Sequence, residues 1–598
     1  MNGAPPVPRD ENGYAELDSY GAIGDGRTIA LIAMDGRIDW LPLPDMHSQP
    51  VFAALLDAEN GGYLWLRPRE PFTVTREYVS GTNVLATTFL TKSGSVRITD
   101  SLNTGVAGRL PWVELARRID GLDGNVELIA DVVPGTCLNT ASPWVDHTVH
   151  GPVLRADGIS MAVRTIDSDQ VTTSTTAVTA RYRTSPGSRQ LLALVATERE
   201  PLLLPESAAI DAGVDRTIAN WRVWSAECAW DGPFGEIVLR SALALKLLIY
   251  APTGAIVAAA TTSLPEAADG SKNWDYRYAW VRDMAYSLTA LFRFGLREET
   301  HGAISWLLST INQHGPDPHI FYQLDGSPAD DEQIFDVPGW RGIGAVRRGN
   351  GAADQLQLGV FGDLFSIVGL YVDNGNVLDT GTGALLASIA DTACDRWRSK
   401  DSGIWELEDL RHYTTSKLGC WQALTTAVRL AEIGQIPGDA RRWRTEAAAI
   451  RDWVQDNAWS PERGAYVWYP GSDELDASIL LHAISGFDRG ARMRSTIGAL
   501  QAELGAPPHL YRFSGADEQE AAFVACSFWM VSALHLTGQS EEAHQLLESL
   551  MDTTNDVGLL AEMVAPESGA FVGNLPQALS HLALIHAAIT VATPPPDR

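Results

Sequence analysis

Two acidic residues stand where an acid costs something unless it is used. Glu406 follows Trp405 in Gly403-Ile404-Trp405-Glu406, a loop ahead of a helical segment. Desolvation against an indole disfavours a carboxylate, so this group would hold its proton and suit a general acid. Glu562 lies inside the apolar run Gly558-Leu559-Leu560-Ala561-Glu562-Met563, and Gly573-Asn574-Leu575-Pro576-Gln577 and a helix follow. A carboxyl group there is expensive unless solvated or employed. The two are far apart in the chain, so only the fold could bring them together. Two carboxyl groups facing across a Trp-lined pocket are the equipment for glycoside hydrolysis. A separation of about 6.5–9.5 Å gives inversion and one of about 5–5.5 Å gives retention.

A third stretch supplies recognition. Asn273-Trp274-Asp275-Tyr276-Arg277-Tyr278-Ala279-Trp280-Val281-Arg282-Asp283 packs four aromatics, two arginines and two aspartates ahead of the apolar helix Met284–Phe294. Arg282 donates hydrogen bonds and Asp283 accepts them, and each sugar hydroxyl offers both roles. Each of these residues also has a plainer reading: Asp283 as a helix cap, Glu406 and Glu562 as solvated surface acids, and the 19 tryptophans as core.

The rest of the composition narrows the class. The 598 residues carry 45 Lys+Arg against 74 Asp+Glu, a formal charge of -29. A surface that acidic argues against a nucleic-acid or anionic-membrane binder and is more simply read as a solubility device. No P-loop, H-E-x-x-H or G-x-S-x-G motif is present. The Gly342-Ile343-Gly344-Ala345 run lacks the preceding strand and third glycine of a dinucleotide fold. Cys137, Cys228, Cys394, Cys420 and Cys526 are scattered, with no C-x-x-C pair. No metal-ligand spacing is seen, and no cofactor is expected. The N-terminus has neither a basic n-region nor an apolar h-region, and no stretch is long enough to span a membrane, so a reduced, cytoplasmic protein is expected.

Residues 1–204 read as β. Thr28–Met34 and Arg37–Leu41 flank an Asp35-Gly36 turn, Val84–Lys92 and Ser95–Asp100 flank Gly94, and four further strands recur to Thr197, the pattern of an antiparallel sandwich. After a linker at 205–235, helical apolar spacing dominates 236–598, with about ten to twelve candidate helices joined by short Gly-, Pro- and Asp-rich loops.

With these residues in view, the sequence resembles glycoside hydrolase family 15, which holds glucoamylases, glucodextranases and bacterial trehalases. The resemblance rests on the 273–283 stretch, on Ser19–Gly26 with Gly36–Leu41, on Thr253–Ala259 with Ser263-Leu264-Pro265-Glu266, on Gly339-Trp340-Arg341-Gly342, on Cys526–Trp529 and on Pro576–His581. It implies an (α/α)6 barrel behind an N-terminal antiparallel β-sandwich, mainly α overall. It implies Glu406 as general acid and Glu562 as general base, with Arg282 and Asp283 holding the terminal glucose and Tyr276 near the attacking water. Trp280, Trp340, Arg341, Trp405 and Arg512 would complete the substrate pocket. The activity implied is an inverting exo-acting α-glucosidase on malto- or isomalto-oligosaccharides, with an α,α-trehalase as the alternative. A sugar-binding protein without catalysis is a third reading, and the presence of both acids argues against it. Leu407 and Met563 replace the second acid that many members carry after each catalytic Glu, and Gly359 and Phe361 stand where Asp and Tyr are common. These departures put the preferred linkage in question.

Overall fold

The computed structural model describes residues 9–199, 201–228 and 230–594. Its N-terminal part is two eight-stranded antiparallel sheets sharing one apolar core. One sheet runs from Tyr20–Gly24 at one edge to Gln170–Thr173 at the other; the second runs from Trp144–Thr148 to Phe72–Tyr78. Alternation sets the faces: Gly62–Pro68 is buried at every second residue. The hairpin expected at Asp35-Gly36 forms, with strands Ile29–Ala33 and Arg37–Pro42 and Gly36 at φ +83°. The one at Gly94 forms as well, between Leu85–Thr91 and Gly94–Leu102.

The linker expected at 205–235 is mostly a helix, α1 (Ser207–Glu227). Ile210 and Val214 pack on Ala116, Leu191, Ala193 and Val195 of the second sheet, and Arg118 pairs with Asp211 and Asp215. Its buried stripe includes a threonine, Thr217, beside Ile210, Val214 and Trp221, which leaves a weak helical signal in the sequence.

Twelve further α-helices follow among the described residues: α2 (Gly235–Leu247), α3 (Val281–Arg293), α4 (Arg297–His314), α5 (Gly359–Asp373), α6 (Thr380–Arg396), α7 (Thr414–Glu432), α8 (Ala440–Asn457), α9 (Leu480–Ile484), α10 (Ala491–Glu503), α11 (Val524–Leu536), α12 (Ser540–Leu550) and α13 (Ala578–Ala592). Helices α6 and α8 begin at Asp379 and Asp439, whose carboxylates accept from free backbone N–H groups. Alternate helices touch in turn, α3 on α5, α5 on α7, α9 on α11, α11 on α13 and α13 back on α3. The short helix Ala477–Ile479 joins α7 to α9. This closed circuit fits the expected barrel, with α2, α4, α6, α8, α10 and α12 as partners of its members. Helices α5 and α7 meet backbone to backbone: a Cβ on Gly362 would lie 2.7 Å from the Gly419 carbonyl oxygen.

The two parts are joined at segments that lead to Arg282 and Asp283 and to Glu562. Trp40 donates from its indole to the Ala260 carbonyl, Arg277 to that of Ser48, and Asn555 to those of Asp18 and Tyr20. The buried Arg76 grips the Asp556 carboxylate.

Candidate active site

Seven of the ten site residues expected from the sequence line one cavity of about 530 Å³: Tyr276, Arg282, Asp283, Trp405, Glu406, Arg512 and Glu562. That volume is ordinary for a small-molecule site. It lies at the loop-bearing ends of the helical circuit.

Glu406 stands in the left-handed region at φ +61°, a strained conformation for a residue with a Cβ. The turn is held by Gln355, whose amide donates to the Glu406 carbonyl, and by the Leu407 N–H on the Ser402 carbonyl. Arg282 donates to the Glu406 carboxyl at 3.1 Å and to the Ile404 carbonyl at 2.8 Å. Trp405 is fixed by its indole N–H on Asp476 and packs edge-on to Phe523. Burial raises the pKa of Glu406 against the opposing pull of Arg282, so the carboxyl keeps its proton to higher pH than a free one.

Glu562 is 1% exposed and precedes the short strand Met563–Val564, which pairs with both Ala522–Phe523 and Phe571–Val572. Its N–H donates to the Asn574 carbonyl, its carbonyl accepts from Val524, and its carboxyl accepts the Asn574 N–H at 3.2 Å. The acid needs a glycine opposite it: a Cβ on Gly573 would stand 2.6 Å from Oε2, at a residue with φ +75°. Burial, and then the neighbouring Glu266, push the Glu562 pKa well up.

The 273–283 stretch divides its labour. Arg282 and Asp283 face the cavity, whereas Arg277 and Asp275 form a fully buried ion pair that ties the stretch to the N-terminal domain. Trp280 does not line the cavity. It packs against Phe321 and the edge of Tyr276 and borders an adjoining compartment of about 250 Å³, with Arg282, Ile404, Trp529 and Leu579 between the two. Trp340 and Arg341 are also away from the cavity. The Trp340 indole donates to the Ala15 carbonyl, and Arg341 bridges Asp10 and Glu16. Arg341→Ala therefore leaves kcat and KM within about threefold and lowers the thermal midpoint by roughly 2 °C, a partly exposed ion-pair effect of about 1 kcal/mol. Steady-state kinetics and a melting curve check both.

Several contributors have no role assigned from the sequence, although Trp274, Trp529 and Glu266 lie within stretches that carry the resemblance. Lys272, Trp274, Phe513, Phe523 and Trp529 line the cavity, and Glu266 and Glu520 buttress it from behind. Leu407 lines the cavity and Met563 is buried, so neither departure places a charge there. Gly359 borders the adjoining compartment. Among the described residues no group of three or more His, Cys, Asp or Glu is placed to hold a metal ion, and no helix is long and apolar enough to cross a membrane.

A buried and a part-buried carboxyl group, an arginine-aspartate pair and aromatic walls around one sugar-sized cavity are the equipment of a glycoside hydrolase. The sequence profile of glycosyl hydrolases family 15 matches residues 232–589, and that of the trehalase-like N-terminal domain matches residues 13–128. The chain belongs to glycosyl hydrolases family 15. It is 30% identical to a trehalase of Thermoplasma volcanium over 96% of this chain and 93% of that one. It is 31% identical to a trehalase of Mycolicibacterium smegmatis, over 98% and 92%. The fold matches a bacterial glucoamylase solved with acarbose, with a TM-score of 0.70 at 13% identity over 99% of this chain and 96% of that one.

Proposed function

We propose that this hydrolase cleaves α,α-trehalose with inversion, with Glu406 as general acid and Glu562 as general base. The observation that carries the substrate is the likeness to proteins named trehalase along more than nine-tenths of both chains. It reverses the order of the two activities drawn from the sequence, where an oligoglucoside exo-hydrolase stood first. We read the helical circuit as an (α/α)6 barrel with the site at its loop ends.

In this mechanism Glu406 gives its proton to the glycosidic oxygen. Glu562, ionised, takes a proton from water on the opposite face of the ring. Positive charge builds at the anomeric carbon, where the carboxylate and the electron-rich aromatic faces oppose it. Arg282 and Asp283 hold the outer hydroxyls of the terminal glucose, and Arg512 and Trp405 close the pocket around it.

The test is turnover on trehalose, maltose, isomaltose and starch oligosaccharides, with the anomeric protons followed by NMR at early times. Trehalose is expected to give the highest kcat/KM and to release α- and β-glucose in equal amounts at first. Release of α-glucose alone would mean retention and would reassign Glu562. A preference for maltose or isomaltose would instead select the oligoglucoside exo-hydrolase.

A further inference from the structure

Behind the cavity wall lies a cluster of charges that the two-carboxylate mechanism does not use. Glu266 is 1% exposed and does not line the cavity. Its carboxyl accepts from Arg512 at 3.1 Å and from the Tyr276 hydroxyl at 3.3 Å. Arg512 also clasps Glu520 through two hydrogen bonds of 2.5 Å, and Lys272 pairs with the same Glu520. The backbone brings Glu562 alongside: the Gly573 N–H donates to the Pro265 carbonyl, and the next residue, Asn574, donates to the Glu562 carboxyl.

The charge count in this cluster does not balance. Glu266, Glu520 and Glu562 supply three carboxyl groups, and Arg512 and Lys272 supply two cations. Glu520 has both cations on it and remains ionised. Glu266 keeps one bond to Arg512, and among the described residues no cation is in contact with Glu562. Burying a net negative charge is costly, so the cluster retains one proton.

We propose that Glu266 is a positioning residue that tunes Glu562: the two carboxyl groups hold one proton between them, and the rise of activity with pH follows ionisation of the pair. This rests on the assignment of Glu562 as the water-activating base. The groups facing the pair are Arg512, Lys272, Glu520, Tyr276 and, across the cavity, Glu406. Burial holds Glu266 up at about 7, and Glu520 and Glu406 oppose the pull of Arg512 and Lys272 on it. A like charge nearby makes Glu562 a stronger base once ionised, which favours proton removal from water. The same contacts let Glu266 set the position of Arg512 and Tyr276 in the wall.

The sign of each substitution follows from the count. Glu266→Gln removes the competing carboxyl group, so Glu562 ionises more readily. The acid limb of the kcat/KM profile moves to lower pH by about one unit, and the plateau falls by about threefold as the base weakens. Glu520→Gln frees Arg512 and Lys272 for the pair and moves the limb the same way. Lys272→Met removes a cation and moves the limb to higher pH. The measurement is kcat/KM against pH on the full chain, using the best substrate of the panel, with circular dichroism and melting to establish folding. If Glu266→Gln does not fold, the opposite displacements in Glu520→Gln and Lys272→Met carry the test. An unmoved limb in folded Glu266→Gln, or displacement in one direction by both of the other variants, overturns the proposal. Glu562→Gln separates the two ideas. Activity persisting in that variant defeats the base assignment itself, whereas an inactive Glu562→Gln with an unmoved limb in Glu266→Gln defeats only the tuning.

Discussion

Glu562→Gln lowers kcat by about 10³–10⁴-fold and leaves KM within a few-fold, because the amide cannot take a proton from water. The fold should survive. The Glu562 side chain accepts one backbone N–H, from Asn574, and among the described residues no cation touches it, so a neutral amide of the same shape leaves no buried charge unpaired. The variant also removes a negative charge from beside Glu266, so its melting point is expected to be at or slightly above that of the parent. A small nucleophile such as azide, which needs no base, restores turnover with a glucoside and yields the β-glucosyl azide. Near-normal kcat, or no rescue together with a normal fold, would move the base to another group of the cavity.

Glu406→Gln gives the second large effect, with a different signature. With trehalose, whose leaving group is a poorly acidic sugar hydroxyl, kcat falls by roughly 10³-fold or more. With α-glucosyl fluoride, which departs without a proton, the loss shrinks to about tenfold or less. Arg282 makes this site less tolerant than that of Glu562. It donates to the Glu406 carboxyl, and the substitution introduces an amide N–H that this cation cannot accept. Some increase in KM is therefore expected, since Arg282 also faces the cavity. A uniform loss on both substrates would make Glu406 a positioning group for Arg282 rather than the proton donor.

Much of the fold was readable because it depends on local periodicity. The helix expected over Arg441–Trp459 forms over Ala440–Asn457, and that over Ala491–Leu504 over Ala491–Glu503. Their charged and apolar faces repeat at helical spacing, and an aspartate caps α8. Helix α1 is hidden in the sequence for the opposite reason. It covers the sheet with a narrow stripe and draws on ion pairs to Arg118, which no sequence window displays.

Within the site, readability followed chemistry. Glu406, Arg282 and Asp283 were recognisable because a charged residue amid aromatics and glycines is costly unless used. The same logic misplaced Trp340 and Arg341. An aromatic-arginine loop serves equally well as a clamp between domains, where Ala15, Asp10 and Glu16 receive it. Glu266 lies within a motif of the family, but nothing in its sequence neighbourhood marks a role, because its importance lies in the company it keeps.

The order of residues alone thus determined which side chains could exchange protons, which could grip hydroxyls, and that a β-rich part precedes a helical one. Those properties belong to residue types, turn residues and spacing along a few turns of chain. Tertiary structure decided which of those side chains share a cavity, which arginines face sugar and which face another domain, and that a third carboxyl group stands beside Glu562. These are consequences of long-range packing. Burial raises or lowers a proton's affinity according to charges hundreds of residues away, and only the closed helical circuit with its N-terminal domain brings those charges within reach.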